Sequence, residues 1–315
     1  MSADIRRVQV AVVGVGALGR HHARILAALD DAVLVAVVDS NAARAAEVAE
    51  AYGTRAFTDV AALTDVDAVT IATPTASHHD LARHFLDRGT SVLVEKPLAR
   101  TLAEAEELVA VASRRGVPLA VGHTERFNPA VDAALPFLTR PRFVEVHRLG
   151  TFSERSLDID VVFDLMIHDL DLLLATLGDE VVSVDAVGIP VLSNRVDIAN
   201  ARLRFGSGCI ANVTASRISR EKVRKIRFME PAAYVSIDYA SQEVECWRLV
   251  RRDGGRPQIE GGKIDVQREE PLKRELADFV AATRDERSPR VTGEDGRRAL
   301  ALADRINREM TRHGH

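Results

Sequence analysis

The sequence predicts an α/β protein with a doubly wound parallel sheet in its first half and an α+β second half built on a large open antiparallel sheet. Three observations support this prediction. Apolar strand-like runs alternate with helical patterns up to about residue 121, a glycine-rich turn joins the first strand to the first helix, and later segments alternate polar and apolar residues. The change of pattern near Gly122 predicts two domains, over residues 1–121 and 122–315.

Composition narrows the class of protein. The 315 residues are 46% hydrophobic and 28% charged, with a net charge of −4, which is usual for a soluble globular protein. A slightly acidic chain gives no sign of a nucleic-acid partner, and no apolar run reaches the ~20 residues that span a bilayer. The N-terminus lacks the pattern of a signal peptide. Cys209 and Cys246 are the only cysteines, so we expect a cytoplasmic protein without disulfides or a metal site.

The most informative segment is VQVAVVGVGALGRHHARIL. Val8 to Val13 form an apolar, β-branched run, and a G-x-G-x-x-G turn follows it and opens a helical pattern. In this context the first glycine permits the tight turn, the second lets the backbone approach a pyrophosphate, and the third lets helix and strand pack closely. The alternative is a glycine turn in an unrelated α/β protein. The predicted dinucleotide contacts of this loop are Gly14, Gly16, Ala17, Leu18 and Gly19.

An acidic residue ends the second predicted strand, AVLVAVVD. Asp39 follows Gly19 by 20 positions, which is where a carboxylate accepts hydrogen bonds from the adenosine ribose. Its charge would repel a 2′-phosphate, and the next basic residue is Arg44. The sequence therefore predicts NAD rather than NADP as the cofactor.

Further β-α units place polar residues at the carboxyl ends of later strands. Ligands of doubly wound sheets bind beyond these ends, so the residues there are candidates for a site. They are Thr73, Pro74, Glu95, Lys96, Pro97 and His123. Lys96, in the strand SVLVEKP, would point toward the nicotinamide end of the cleft, where an ammonium group can exchange or polarise a proton. The alternative is a solvated lysine at a strand end.

The segment FDLMIHDLDLLLATLG carries polar residues through an apolar stretch. Asp164 and His168 are four residues apart, and Asp171 lies one helical turn beyond His168, so all three would share one face of a helix. Burying such groups without partners costs several kcal/mol, so the strip should meet a polar ligand. The alternative for His168 is a histidine with partners in the core, and we interpret Asp169 and Asp171 as solvated or salt-bridged.

Taken together, these motifs resemble the Gfo/Idh/MocA oxidoreductases over nearly the whole chain. The resemblance rests on GVGALG, Asp39, ATPTASHHDLA, VEKPLA and DLMIHDLD. It implies a Rossmann domain followed by an α/β domain with a large open sheet. It also implies that Lys96 is the catalytic-site lysine, and that Asp164 and His168 act with it on the reacting carbinol. His168 would be the acid/base and Asp164 the binder of the substrate hydroxyl.

The resemblance also implies which residues border the cofactor. Thr73 and Pro74 would lie against the nicotinamide half of NAD, and Glu95 and Lys96 beside it. His78, one turn beyond Pro74, is included among the cofactor-binding candidates, with a surface or packing role as its alternative.

A finer resemblance concerns the substrate. VGHTERFNPA, DLMIHDLD, SRISREKVRKIRF and AYVSIDY are similar to the short branch of this family that oxidises nucleotide-activated amino sugars at the 3-hydroxyl. This implies a nucleotide-sugar substrate, with Arg126, Asn128 and Arg217 as further contacts. The basic run from Arg217 to Arg227 could bind a pyrophosphate, or it could be a solvated strand face.

The open face of the second sheet is expected to join copies of the chain into a homodimer or homotetramer. Two other functions remain open. One is oxidation of another polyol or free sugar, such as an inositol, and the other is a catalytically silent NAD-binding sensor.

Overall fold

The computed structural model describes residues 6–151, 159–252 and 256–312. The chain forms two compact units. The first unit comprises the described part of residues 1–123 together with residues 272–297, and the second comprises the described parts of 124–271 and 298–315. The predicted boundary at 121/122 thus lies two residues from the crossover, whereas the return of 272–297 to the first unit was not predicted. Within the described residues, no helix combines the length and apolar character needed to cross a membrane.

The first unit contains a six-stranded parallel sheet, which confirms the predicted doubly wound fold. Its strands are β1 Val8–Val13, β2 Ala32–Val38, β3 Arg55–Phe57, β4 Ala68–Ile71, β5 Ser91–Glu95 and β6 Leu119–Gly122. Their order is β3-β2-β1-β4-β5-β6, so the strand order reverses between β1 and β4. Every residue of β4 and β5 is buried, which explains their continuous apolar runs. The crevice beyond the reversal is where such sheets bind ligands.

Helices cover the sheet of the first unit. They are α1 Gly19–Ala28, α2 Ala42–Tyr52, α3 His78–Leu86 and α4 Leu102–Arg115. Local sequence sets their ends: Asn41 caps α2 through its side chain, and Thr101 and Glu104 form a capping box on α4. Gly53 and Gly116 end α2 and α4 in the left-handed conformation.

The second unit is built on one large, mostly antiparallel sheet, as predicted, and this sheet has eight strands. Its strands are β7 Phe143–Leu149, β8 Val181–Ile189, β9 Ile198–Phe205, β10 Ile210–Ser216, β11 Val223–Glu230, β12 Ala233–Asp238, β13 Glu243–Val250 and β14 Gln258–Ile264. Their order is β14-β13-β12-β11-β7-β10-β9-β8. Every neighbouring pair is antiparallel except β7 and β10, which run parallel.

Helices pack on one face of this sheet. The unit contains α5 Pro129–Ala134 and α6 Ile167–Leu177, and the last two helices of the chain are α7 Pro271–Arg284 and α8 Gly293–Arg312. Inward-facing strand residues form one apolar core with Leu170, Leu173 and Ile306 of the helices. The segment 272–297 belongs to the first unit because α7 buries Leu276 and Phe279 in that unit's core.

The opposite face of the second sheet carries an apolar row that crosses five strands. We call it the open-face row, and its members are Ile210, Phe143, Met229, Tyr234 and Trp247, each opposite the next in the strand register. The neighbouring residue on each strand, such as Val144 or Cys246, points into the core instead. The side chain alternation predicted from the sequence is therefore present, with apolar residues on both faces along this line.

Candidate active site

The glycine loop has the geometry that the motif predicted. Gly14 adopts φ +84°, and its N–H donates to Val38 O at 2.7 Å. A Cβ at Gly14 would lie 2.7 Å from Thr73 Cγ2, and one at Gly19 would lie 1.8 Å from Gly14 O. Neither position therefore accepts a side chain. Leu18 stands at the N-cap of α1 without a side-chain hydrogen bond, so the first turn of α1 lacks a side-chain cap where a pyrophosphate would approach.

Asp39 follows β2, at the position where the sequence predicts a contact with the adenosine ribose. Its buried carboxylate accepts hydrogen bonds from the N–H groups of Val15 at 3.0 Å and Asn41 at 2.9 Å. Arg44 lies at the same carboxylate, with Nη1 3.5 Å from Oδ2. The acid thus fixes the glycine loop against the end of β2, in addition to the ribose contact predicted for it.

A cavity of about 720 Å³ lies beyond the strand reversal. It is bordered by the glycine loop, the end of β2 and the turn after β4, and its lining includes Gly14, Gly16, Asp39, Thr73 and Pro74. The volume falls in the range of small-molecule and cofactor pockets. Together with the uncapped helix and the two glycines that leave no room for a Cβ, it fits a dinucleotide.

Lys96 directly follows β5 and is half-buried. Its backbone N–H donates to Glu95 Oε2 at 3.3 Å, and Glu95 Oε1 lies 3.0 Å from Nε2 of His22 in α1. The side chains of His22 and Glu95 are 0% and 8% exposed, so the pair is shielded from water. Glu95 therefore connects α1 to the backbone of Lys96 through hydrogen bonds. That Glu95 also lies beside the cofactor stays a prediction.

His78 is the first residue of α3 and is 1% exposed. Its two ring nitrogens lie 2.9 Å from the backbone carbonyl oxygens of Pro97 and Thr73. The packing role considered for it is therefore present. Both ring nitrogens already have protein partners, and a direct contact of His78 with the cofactor stays a prediction.

Asp164 and His168 lie on one continuous helical segment, but not on a regular α-helix. Residues Val162–Met166 form a π-helical turn, and α6 begins at Ile167. Apolar periodicity does not distinguish a π turn from an α turn, so the sequence predicted a uniform helix. Both side chains are half-buried. A π turn changes the angular offset between positions four apart and often occurs at functional sites.

The other carboxylates of this segment form buried ion pairs, as one of the two interpretations predicted. Asp169 binds Arg148 of β7 through both oxygens, at 2.5 and 3.0 Å, and Arg148 also contacts Glu125 at 3.1 Å. Burial lowers the pKa of Arg148, but the charges of Asp169 and Glu125 outweigh burial and raise that pKa above its ordinary value. Burial raises the pKa of Asp169 as well, and the two hydrogen bonds between Arg148 and Asp169 anchor α6 to the sheet.

Two of the predicted substrate contacts lie near this anchor. Arg126 Nη1 is 3.3 Å from Asp171 Oδ1, and the arginine side chain is 15% exposed. Asn128 is 2% exposed: its Oδ1 accepts from Ala130 N–H at the start of α5, and its Nδ2 donates to Glu125 and to Tyr239 O. Arg126 therefore borders solvent, whereas the amide of Asn128 is used within the fold. Their substrate roles stay predictions.

Arg217 is the third predicted substrate contact, and the structure places it inside the second unit. Its Nε lies 3.2 Å from Asp197 Oδ1, and its Nη2 donates to the carbonyls of Ile159 and Val196. With 5% of its surface exposed, Arg217 has a structural role, and its contact with a substrate stays a prediction. Further along the basic run, Lys225 and Arg227 pair with Asp238 and Glu145.

Sequence reasoning missed His22 and Arg148, although each carried a local signal. His22 sits on the same helical face as Ile25 and Leu26, so it was predictable as a buried histidine. Arg148 occupies an inward position of β7, in line with Val144 and Val146. A buried position that holds a polar group requires a partner, but the identity of a partner distant in sequence is not encoded locally.

Two family models and several known proteins match this chain. A family model described as an oxidoreductase family with an NAD-binding Rossmann fold matches residues 8–123, and the GFO/IDH/MocA C-terminal domain matches residues 138–229. UDP-N-acetylglucosamine 3-dehydrogenase of Acidithiobacillus ferrooxidans is 40% identical over 94% of this chain and 95% of its own. Inositol 2-dehydrogenase of Rhizobium meliloti is 29% identical over 96% and 97%.

Solved structures also match this chain along most of its length. A structure of the Acidithiobacillus ferrooxidans enzyme superposes with a TM-score of 0.91 at 38% identity, covering 96% of this chain and 97% of that one. Levoglucosan dehydrogenase, in complex with NADH and levoglucosan, has a TM-score of 0.88 at 18% identity over 98% of both chains, and so shares the fold. The expected family, fold and cofactor are confirmed: the chain belongs to the Gfo/Idh/MocA family of NAD-dependent oxidoreductases.

Proposed function

We propose that this oxidoreductase uses NAD to oxidise the 3-hydroxyl of UDP-N-acetylglucosamine to a ketone. The observation that carries the proposal is the 40% identity to UDP-N-acetylglucosamine 3-dehydrogenase along nearly the full length of both chains. The half-buried Lys96 at the end of β5 supports it, because an oxidoreductase acting on an alcohol needs a group that handles the hydroxyl proton.

The first unit supplies the cofactor site in this proposal. Gly14, Gly16 and the first turn of α1 would hold the pyrophosphate, Asp39 the adenosine ribose, and Thr73 and Pro74 the nicotinamide half. Bound NAD would supply the acceptor for the hydride. The protein's own residues bind the sugar, orient its carbinol and remove the hydroxyl proton.

The proposed proton chemistry uses two side chains. Lys96 holds the reacting hydroxyl by an N–H···O bond and favours its ionised form, and His168 accepts the proton, since histidine exchanges protons near neutral pH. Asp164 accepts a hydrogen bond from a sugar hydroxyl and orients the ring. The buried Arg148–Asp169 pair supports this assignment, because it fixes the helix that carries His168.

The substrate is tested by following NADH formation with UDP-N-acetylglucosamine, UDP-glucose, free N-acetylglucosamine and myo-inositol. Turnover restricted to the nucleotide sugar carrying the acetamido group is expected. Preference for inositol or a free sugar would replace the proposal by the polyol alternative, and NADH binding with no turnover of any sugar would favour the silent sensor.

The roles of Lys96 and His168 are tested by the variants Lys96→Met, His168→Asn and their combination. Residues that act on one chemical step are strongly non-additive, so each single variant should lose about 10²- to 10⁴-fold in kcat and the double variant little more. NADH affinity, measured by fluorescence, should stay near that of the parent. Multiplicative losses in the double variant would show that the two residues act on separate steps.

We also propose that copies of the chain associate through the open-face row. Two features indicate that a second copy of the chain packs against this face of the sheet. The residues of the row are apolar although they lie on the solvent side of the sheet. The flanking row carries charges of alternating sign on either side of the uncharged Ser236, in the order Glu145, Arg227, Ser236, Glu245 and Lys263. A two-fold related sheet would bring opposite charges together around an apolar centre.

A cytoplasmic location of the protein stays a prediction.

A further inference from the structure

The imidazole of His78 in the first unit is almost fully buried and has a protein partner at each ring nitrogen. It is 1% exposed, and Nδ1 and Nε2 each lie 2.9 Å from a backbone carbonyl oxygen. Carbonyl oxygens only accept hydrogen bonds. A neutral imidazole has one N–H and one lone pair, so it satisfies one of these contacts and sets a lone pair against the other oxygen. An imidazole with an N–H group at each nitrogen donates a hydrogen bond to both carbonyl oxygens.

The two carbonyls belong to the turns that carry the proposed active-site groups. One is that of Thr73, in the turn after β4, which lines the cavity and lies against Gly14. The other is that of Pro97, the residue that follows Lys96. Ser77 adds to the first turn, since its Oγ donates to Thr73 Oγ1 at 2.9 Å. The imidazole is therefore a bridge between the cofactor-facing turn and the lysine.

We propose that His78 is a positioning residue, with both ring nitrogens protonated, which fixes Lys96 relative to the nicotinamide-side turn by donating to Thr73 O and Pro97 O. This inference rests on the proposed role of Lys96. It changes the sequence-based assignment of His78, because the residue acts on the cofactor region through two backbone carbonyls rather than by touching the cofactor. A displacement of about 1 Å at a reacting group can cost on the order of 10²-fold in rate.

Chemical rescue tests the need for two donors. The variant His78→Gly leaves a space for a small heterocycle, and we expect kcat with UDP-N-acetylglucosamine to fall about 10- to 100-fold while NADH affinity changes by less than about threefold. Imidazole and 4-methylimidazole, which carry two N–H groups when protonated, should restore at least about tenfold. 1-Methylimidazole has the size of 4-methylimidazole but at most one N–H, and it should not restore activity.

The neighbouring histidine provides a matched control. His79 also has partners at both nitrogens, but they are the carboxylates of Asp80 and Glu107 on α3 and α4. His79→Gly should lose kcat by less than about twofold. Equal losses in the two variants, unchanged kcat in His78→Gly, or equal rescue by 1-methylimidazole would overturn the proposal.

Nitrogen-15 NMR of the imidazoles provides a readout that does not depend on turnover. The parent protein should show two protected N–H protons on His78 at neutral pH. A single N–H there would overturn the bridge. Two N–H signals together with no turnover of any sugar would leave the bridge standing and remove the proposed function instead.

Discussion

His22 Nε2 lies 3.0 Å from Glu95 Oε1, in a pair that joins the helix after the glycine loop to the last residue of β5, which Lys96 directly follows. Both side chains are almost fully shielded from water. The second oxygen of Glu95 accepts the N–H of Lys96. One buried carboxylate thus links the helix after the glycine loop to Lys96, the proposed catalytic lysine, and two predictions test the link from its two sides.

Replacing His22 by Phe should reduce the free energy of unfolding by about 3 kcal/mol, because the buried Glu95 carboxylate loses its partner. Urea unfolding followed by circular dichroism measures the change. His21→Phe is the matched control, since His21 is the preceding residue of α1 and is exposed, and it should change stability by less than about 0.5 kcal/mol. Equal effects of the two variants would show that the pair contributes nothing.

Replacing Gly122 by Ala should move the Glu95 carboxylate. A Cβ at Gly122 would lie 2.7 Å from Glu95 Oε2, the oxygen that accepts from Lys96. We expect a loss of about 1–3 kcal/mol in stability, together with a lower kcat at nearly unchanged NADH affinity. Gly150→Ala is the control, because its Cβ would make only an ordinary contact, 3.6 Å from Ser216 O. Parent-like kcat in Gly122→Ala would argue against a role for this carboxylate in placing the lysine.

The sequence predicted those parts of the fold and site that depend on local pattern. Gly14, Asp39 and Lys96 follow the ends of β1, β2 and β5 as predicted, because a strand, its end and the following turn are encoded in consecutive residues, whereas their roles in the site stay predictions. The partners of His22 and Arg148 were not predicted, since they lie 73 and 21 residues away and depend on which elements pack together. The π turn at Val162–Met166 was missed because the apolar spacing suits an α-helix equally well.

Acid should weaken the second unit through Asp197. This carboxylate is fully buried, and the N–H groups of Val191, Leu192 and Ser193 all donate to its Oδ2. Burial alone would raise the pKa of Asp197, but these hydrogen bonds lower it to about 2. Because the unfolded value is about 3.9, the ionised group stabilises the fold above pH ~4, and this contribution is lost between pH ~4 and ~2.

The variant Asp197→Asn should therefore be less stable than the parent at neutral pH, by roughly 1 to 3 kcal/mol, and should lose less stability on acidification through that window. Unfolding by urea at a series of pH values measures both effects. Asp185→Asn, on the neighbouring strand β8 and exposed, should keep the acid dependence of the parent. An unchanged slope in Asp197→Asn would assign the acid sensitivity to other carboxylates.

Charge placed on the open-face row should separate the proposed oligomer. Trp247 is 39% exposed and lies at the end of the row, so Trp247→Glu adds a carboxylate that would be buried against the second copy. Light scattering after size exclusion should show a dimer or tetramer for the parent and a monomer for this variant, because an unpaired buried charge costs several kcal/mol. Leu135→Glu is the matched control: Leu135 is 40% exposed but lies outside the sheet, in the turn that follows α5. It should keep the parent's mass. A monomeric parent, or equal dissociation of both variants, would contradict association through this row. NADH binding by the monomeric variant would show that the first unit binds its cofactor without a second copy of the chain.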